Sequence, residues 1–138
     1  TALSEAEGSI WIGSQTELLR LTVDPRTSEA LIANRATIAE GLPSGYVVDV
    51  RSWRGELWAA TFEGLARMLP DGRWQAVELH PNLDTTPLSV LTVDTASHLW
   101  VGTDGGGAAR ISPAGFAQFN ARDGLALRKV WAIVDDDQ

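Results

Sequence analysis

The sequence contains no cysteine, only two histidines, one tyrosine and one methionine among its 138 residues. Without cysteine there is neither a disulfide framework nor a thiolate metal site. His80 and His98 are the only histidines, and neither sits at ligand spacing with a carboxylate neighbour, so no metal and no cofactor is expected. Basic runs are also missing. The eleven Lys and Arg are scattered, the net charge is −7, and a nucleic-acid partner, which needs a basic face, is excluded. No stretch approaches the roughly 18 consecutive apolar residues needed to cross a bilayer, so this segment is expected to make no membrane contact. A basic n-region followed by an apolar h-region is absent, so no signal peptide is visible in this segment. What remains is ordinary globular material, 44% apolar and 21% charged.

One short phrase occurs three times. Its copies are Gly8-Ser9-Ile10-Trp11-Ile12-Gly13-Ser14, Gly55-Glu56-Leu57-Trp58-Ala59-Ala60-Thr61 and Ser97-His98-Leu99-Trp100-Val101-Gly102-Thr103. Each runs from a turn residue through an aliphatic and a tryptophan to a terminal hydroxyl. The tryptophans stand 47 and 42 residues apart. A period of that size marks an array of supersecondary units.

Each period reads as four short strands. In the first they are the segment before Gly8, then Ile10 to Ser14, Leu18 to Val23, and a weak fourth at Ala30 to Ala33, with a helix over Ser28 to Glu40 as the competing reading. In the second, Tyr46 to Val50 is followed by a tight connection at Arg51 to Arg54, then Glu56 to Thr61, Gly64 to Leu69, the turn Pro70-Asp71-Gly72, and Arg73 to Leu79. The third has Leu88 to Asp94, His98 to Thr103, Ala108 to Ser112 and Phe116 to Asn120. Arg128 to Asp136 then begins another first strand. Four antiparallel strands per period describe a propeller blade, whereas a sandwich or barrel requires no such recurrence. The expected fold is all-β: blades at 1–33, 45–79 and 88–120, with an extra inner strand at 128–136.

The chain resembles the two-component-regulator propeller repeat of bacterial hybrid sensors. Gly41-Leu42-Pro43 and Asp123-Gly124-Leu125 match the start of that repeat. Leu88, Leu91, Asp94 and Trp100 keep its spacing, as do Val130, Ile133 and Asp136; Leu57-Trp58, Leu99-Trp100-Val101-Gly102-Thr103 and Gly64-Leu65 match its later part. Ser52-Trp53-Arg54 stands where the family has its turn Asp, Ala59-Ala60 replaces aliphatic-Gly, and Ser97 replaces the turn Gly. Both ends of the sequence fall inside a repeat. The expectation is either an excerpt of a longer sensor or several identical chains closing one ring, since a closed propeller has about four to eight blades.

The repeated tryptophans are expected to fill the space between blades rather than to bind ligand. Trp53, Trp74 and Trp131 break the repeat and are weighed as contacts for a ligand or partner. Asp104-Gly105-Gly106-Gly107 lacks the helix and Lys-Ser/Thr of a phosphate loop and reads as a turn. No Gly-x-Ser-x-Gly occurs, and no catalytic residue is expected. By analogy with propellers, a ligand site would gather Gln15, Tyr46, Phe62, Asp104, Arg128 and Lys129 where the fourth-to-first and second-to-third strand loops meet. The family resemblance implies a non-catalytic, ligand-sensing module outside the cytoplasm, in the periplasm of a bacterial signalling protein, with carbohydrates as one ligand class. The other readings are an interaction or assembly scaffold, and a propeller lyase or hydrolase.

Overall fold

A computed structural model describes residues 2–6, 8–79, 83, 86–125 and 129–136. Twelve strands form three antiparallel four-stranded sheets. The first holds β1 (Ala2–Ala6), β2 (Ser9–Gly13), β3 (Leu18–Val23) and β4 (Ala30–Ala36). The second holds β5 (Val47–Trp53), β6 (Glu56–Thr61), β7 (Gly64–Met68) and β8 (Trp74–Val77). The third holds β9 (Leu88–Val93), β10 (Leu99–Thr103), β11 (Ala108–Ser112) and β12 (Gly115–Phe119). Within each sheet the strands are hydrogen-bonded in chain order. The first strands lie side by side, β1 against β5 and β5 against β9, as the inner strands of successive propeller blades do.

The Trp phrase explains how one blade seats on the next. Trp11 belongs to a cluster with Val50 and Leu57 of the second blade, and Trp58 to one with Leu91, Leu99 and Val101 of the third. Each indole therefore shares a buried cluster with the aliphatic residue that precedes the next blade's own tryptophan. Trp11 and Trp58 are buried; Trp100, whose face meets no fourth blade, is only half-buried. The spacer role expected for these residues follows from that contrast. The glycine after Trp-x is a clearance: a Cβ on Gly13 would stand 2.9 Å from the Val47 carbonyl oxygen, where the next inner strand crosses.

The final hydroxyl of the phrase closes the turn to the third strand in every blade. Ser14 Oγ donates to the Glu17 carbonyl at 2.9 Å, Thr61 Oγ1 to Gly64 at 2.8 Å and Thr103 Oγ1 to Gly107 at 2.7 Å. Three repeats thus use one device.

Several boundaries differ from expectation. The competing helix over 28–40 does not form: β4 extends to Ala36, carrying the first blade past residue 33. Its register with β3 spans both ends of that strand, and a 3₁₀ turn at Ile38–Glu40 follows, held by reciprocal Thr37–Glu40 hydrogen bonds. Helix propensity there loses to the sheet edge available at β3. Nor is 51–54 a connection. β5 runs to Trp53, and only Arg54 and Gly55, at φ of 54° and 78°, make the hairpin turn. Two left-handed residues suit a tight primed turn, and this shortens the unit by one residue. The extra strand expected at 128–136 is only begun. Val130 N–H donates to the Thr103 carbonyl at 2.9 Å, as Val47 N–H does to Ser14. Lys129 forms an isolated bridge with Asp104, but among the described residues nothing offers 131–136 a ladder.

Candidate functional site: the loop rim

The loops that follow the repeated hydroxyls share one end of the three sheets. Ser14 and Thr103 occupy equivalent positions, each accepting an amide from the next inner strand. The residues just beyond, Gln15 and Tyr46 at the first junction and Asp104 and Lys129 at the third, therefore occupy equivalent positions. Phe62 follows Thr61 in the same way. The scaffold below them repeats while the rim does not: the three post-hydroxyl positions are an amide, an aromatic ring and a carboxylate.

Tyr46 and Phe62 stack with centroids 5.6 Å apart and planes 6° from parallel, and the Phe62 N–H donates to the Tyr46 carbonyl at 2.9 Å. Phe62 remains 45% exposed, so one aromatic face is available to solvent. One junction further, Lys129 Nζ lies 2.6 Å from Asp104 Oδ2 and 4.0 Å from the Trp131 ring centre. Such an exposed ion pair adds little stability, about 0–1 kcal/mol. Gln15 is exposed, and its side chain makes no hydrogen bond among the described residues. Arg128 lies outside the described residues, as does His80. Of the six expected site residues, the structure pairs Tyr46 with Phe62 and Asp104 with Lys129.

The unrepeated tryptophans separate into two kinds. Trp53 is buried, sits edge-on to Trp58 at 5.4 Å, and donates from Nε1 to the Ser97 carbonyl at 2.8 Å. Trp74 is buried with its ring perpendicular to Trp11 at 6.2 Å. These two tie the blades together and offer no ring to a ligand. Trp131, 75% exposed, keeps one free.

Two polar groups escaped the reading of the sequence. His98 does have a carboxylate neighbour: its Nδ1 lies 2.9 Å from Asp94 Oδ2, which also accepts the Trp100 indole N–H at 2.7 Å. Burial pushes the Asp94 carboxyl up, but its bonds from the His98 amide, the Trp100 indole and the His98 ring prevail and hold it at about 2. The dyad stands at the β9–β10 hairpin, the end opposite the rim. Among the described residues no group of three potential ligands could hold a metal ion. Asp49 was missed altogether. It is 8% exposed, accepts the Leu91 N–H of the next blade at 2.9 Å, and lies 3.3 Å from Arg51, which itself donates to Ser4 of the preceding blade at 3.2 Å. Burial raises its carboxyl above the ordinary range, against the pull of the Leu91 amide and Arg51. Ser4, Arg51, Asp49 and Leu91 thereby connect three inner strands. No sequence motif marks this network, because each member stands alone in an otherwise apolar pattern.

No protein-family model matches the chain, and no curated protein matches it. Solved structures do. The extracellular domain of one hybrid two-component system of B. thetaiotaomicron superposes with a TM-score of 0.73 at 15% identity, over 95% of this chain and 20% of that one. A second such domain from B. thetaiotaomicron gives 0.66 at 21% identity, over 85% and 16%. A virginiamycin B lyase from Staphylococcus aureus, solved as an inactive histidine variant with quinupristin, gives 0.63 at 18% identity, over 85% and 39%. The chain thus spans a fifth or less of the sensor structures it matches. Those likenesses establish the fold: the chain is an arc of β-propeller blades of the kind found in the extracellular domains of hybrid two-component systems.

Proposed function

We propose that this arc belongs to a non-catalytic sensing propeller of a bacterial signalling protein, outside the cytoplasm, and that it recognises ligand through the rim of Gln15, Tyr46, Phe62, Asp104, Arg128 and Lys129. The observation that carries this reading is the contrast between repeat and rim. One framework is used three times beneath side chains that differ in chemistry at each equivalent position. An exposed aromatic face at one junction and hydrogen-bonding charged groups at the next suit an oligosaccharide, one ring of which stacks on Phe62 while hydroxyls further along pair with Asp104 and Lys129. Carbohydrate is accordingly the proposed ligand class. Further blades would cover the Trp100 face and the Ile10–Ile12 face and complete the ring, supplied by the parent chain or by identical chains.

The test is calorimetric titration of the parent protein with a panel of oligosaccharides, repeated with Phe62→Ala and Asp104→Asn. Saturable binding weakened by both substitutions supports the reading. Binding to no sugar, or binding indifferent to both, refutes it.

A scaffold reading draws on one further observation, the apolar groove of about 720 Å³ bounded by Trp100, Phe119 and residues 130–134. A discrete closed oligomer in light scattering would favour it over the sensor. The lyase reading would need the Asp94–His98 dyad to act, and turnover that survives His98→Ala dismisses that role.

A further inference from the structure

A second cleft lies between the first two blades at the hairpin end, opposite the rim. It is bounded by Trp11, Arg20 and Asn34 of the first blade, Gly55 to Leu57 of the second, and the β7–β8 turn, and encloses about 490 Å³. That is a volume suited to a small molecule. The repeat allows its surroundings to be compared with those in the other blades. The ladder pairs Ala6 with Ser9 and Trp53 with Glu56, and Asp94 faces His98. Ala6, Trp53 and Asp94 are therefore one position in three blades, beside that blade's tryptophan. In the second blade Trp53 packs its ring there. In the third, Asp94 places a carboxylate on the indole N–H. In the first, Ala6 provides neither bulk nor an acceptor.

The consequences appear on Trp11. Its residue is 3% exposed, and its Nε1, like that of Trp58, has no hydrogen-bond partner among the described residues, but only Trp11 also borders this cleft. A buried donor without an acceptor costs about 1–3 kcal/mol, so the position is primed for one. The cation over the ring is present in both blades. Arg20 lies 5.7 Å from the Trp11 ring centre and Arg110 5.9 Å from that of Trp100. Arg20 donates through Nε to Ser9 Oγ at 2.9 Å, and its terminal nitrogens have no partner among the described residues. Blade three thus holds an indole, a guanidinium and a carboxylate, while blade one holds the first two and a cleft.

We infer that this cleft binds a small carboxylate with an apolar body, whose carboxyl group supplies to the Trp11 indole the acceptor that Asp94 supplies to Trp100 in the third blade, and pairs in addition with Arg20. The carboxylate pairs with the terminal nitrogens of Arg20 and accepts the Trp11 N–H, and the body rests on Trp11, Leu57 and Met68. Glu56 and Asp71 also line the cleft; they are held by Arg67 at 3.6 Å and by Arg73 at 2.9 Å, and they repel a second carboxylate, so monocarboxylates are favoured over dicarboxylates. The carboxylate can belong to a free acid or to the end of a peptide. Both present the same group and are separated by the probe used.

The experiment follows the indole N–H resonances of the parent protein by NMR, with Trp11 assigned through Trp11→Phe. The probes are 3-phenylpropionate, the matched amine 3-phenylpropylamine, succinate, and a short peptide with a C-terminal Phe. The inference predicts a saturable downfield shift of the Trp11 indole with 3-phenylpropionate, none with the amine, and a weaker response to succinate. A larger response to the peptide assigns the natural source to a chain terminus. Arg20→Gln should weaken binding at least about tenfold, in keeping with a charge-assisted pair. Ala6→Asp should move the Trp11 resonance toward that of Trp100 without ligand and abolish the response. Should the aspartate disturb folding, Arg20→Gln, at a half-exposed position, decides alone. No Trp11 response to 3-phenylpropionate at millimolar concentration, an equal response to the amine, or binding unchanged in Arg20→Gln overturns the inference.

Discussion

Asp49 is the strongest test of how the inner strands are joined. Its carboxylate accepts the Leu91 N–H at 2.9 Å across the blade boundary and the Val50 N–H at 2.9 Å within its own strand. Replacing it with alanine leaves both amides without their side-chain acceptor and removes the anion beside Arg51. Each unsatisfied buried donor costs about 1–3 kcal/mol, so Asp49→Ala should lower stability by about 3 kcal/mol, a large share of the 5–15 kcal/mol typical of a domain. Asparagine keeps one carbonyl oxygen, enough for Leu91, but sets its NH2 where Oδ1 accepted the Val50 N–H, so it loses the charge and one of the two bonds. Burial raises the Asp49 carboxyl above its ordinary 3.8. Between 3.8 and that raised value the folded state binds the proton more tightly than the unfolded state. This carboxyl's contribution therefore falls as pH rises through the window and is least favourable above it. Asp49→Asn should remove that slope and cost about 1–2 kcal/mol at neutral pH, less than alanine, because it leaves one amide unsatisfied instead of two and relieves a buried charge. Urea denaturation from pH 3.5 to 7, with both variants compared, reads the effect. An alanine variant within about 0.5 kcal/mol of the parent, or an asparagine variant as damaged as alanine, would refute the role of the Leu91 bond.

Other substitutions probe the remaining devices. Gly13→Ala should cost about 1–3 kcal/mol in chemical denaturation, because its Cβ meets the Val47 carbonyl at 2.9 Å and the second blade's backbone has to shift. Trp53→Phe keeps the ring but loses the bond to the Ser97 carbonyl, so a loss of about 1 kcal/mol is expected by the same assay. Asp94 is held at about 2, below its ordinary 3.8, so its stabilising contribution is full above 3.8 and disappears as pH falls toward 2. Asp94→Asn should flatten that acid limb and alter the Trp100 indole resonance, and an unchanged acid limb would count against the dyad. Phe62→Ala should leave stability within about 1 kcal/mol of the parent, as expected for a half-exposed ring, while weakening ligand binding.

The fold was legible because the repeated phrase does mechanical work at each of its positions. The tryptophan bridges blades, the glycine clears the next strand, and the hydroxyl closes the turn. Strand limits were legible where turn chemistry was explicit, as at Pro70-Asp71-Gly72. They failed at 51–54, where a non-glycine residue, Arg54, takes a left-handed conformation that composition does not announce. They failed again at β4, whose residues are mostly apolar yet exposed, so the strand carries no alternating signal. The rim could be placed only by counting from the repeat, and its pairings, Tyr46 on Phe62 and Asp104 on Lys129, depend on neighbouring blades. Asp94 and His98 could have been linked from their spacing of four residues around a hairpin. Asp49 and the cleft between the first two blades could not, because each is defined by residues about 40 positions away in the chain.

The central claim is that this arc senses through side chains that do not repeat, supported by a framework that does. It is tested most directly by titrating the parent protein with its best-binding oligosaccharide before and after combining Phe62→Ala with Asp104→Asn. The account predicts loss of binding with an unchanged urea midpoint. Unchanged binding, or a loss that appears only together with unfolding, would contradict it.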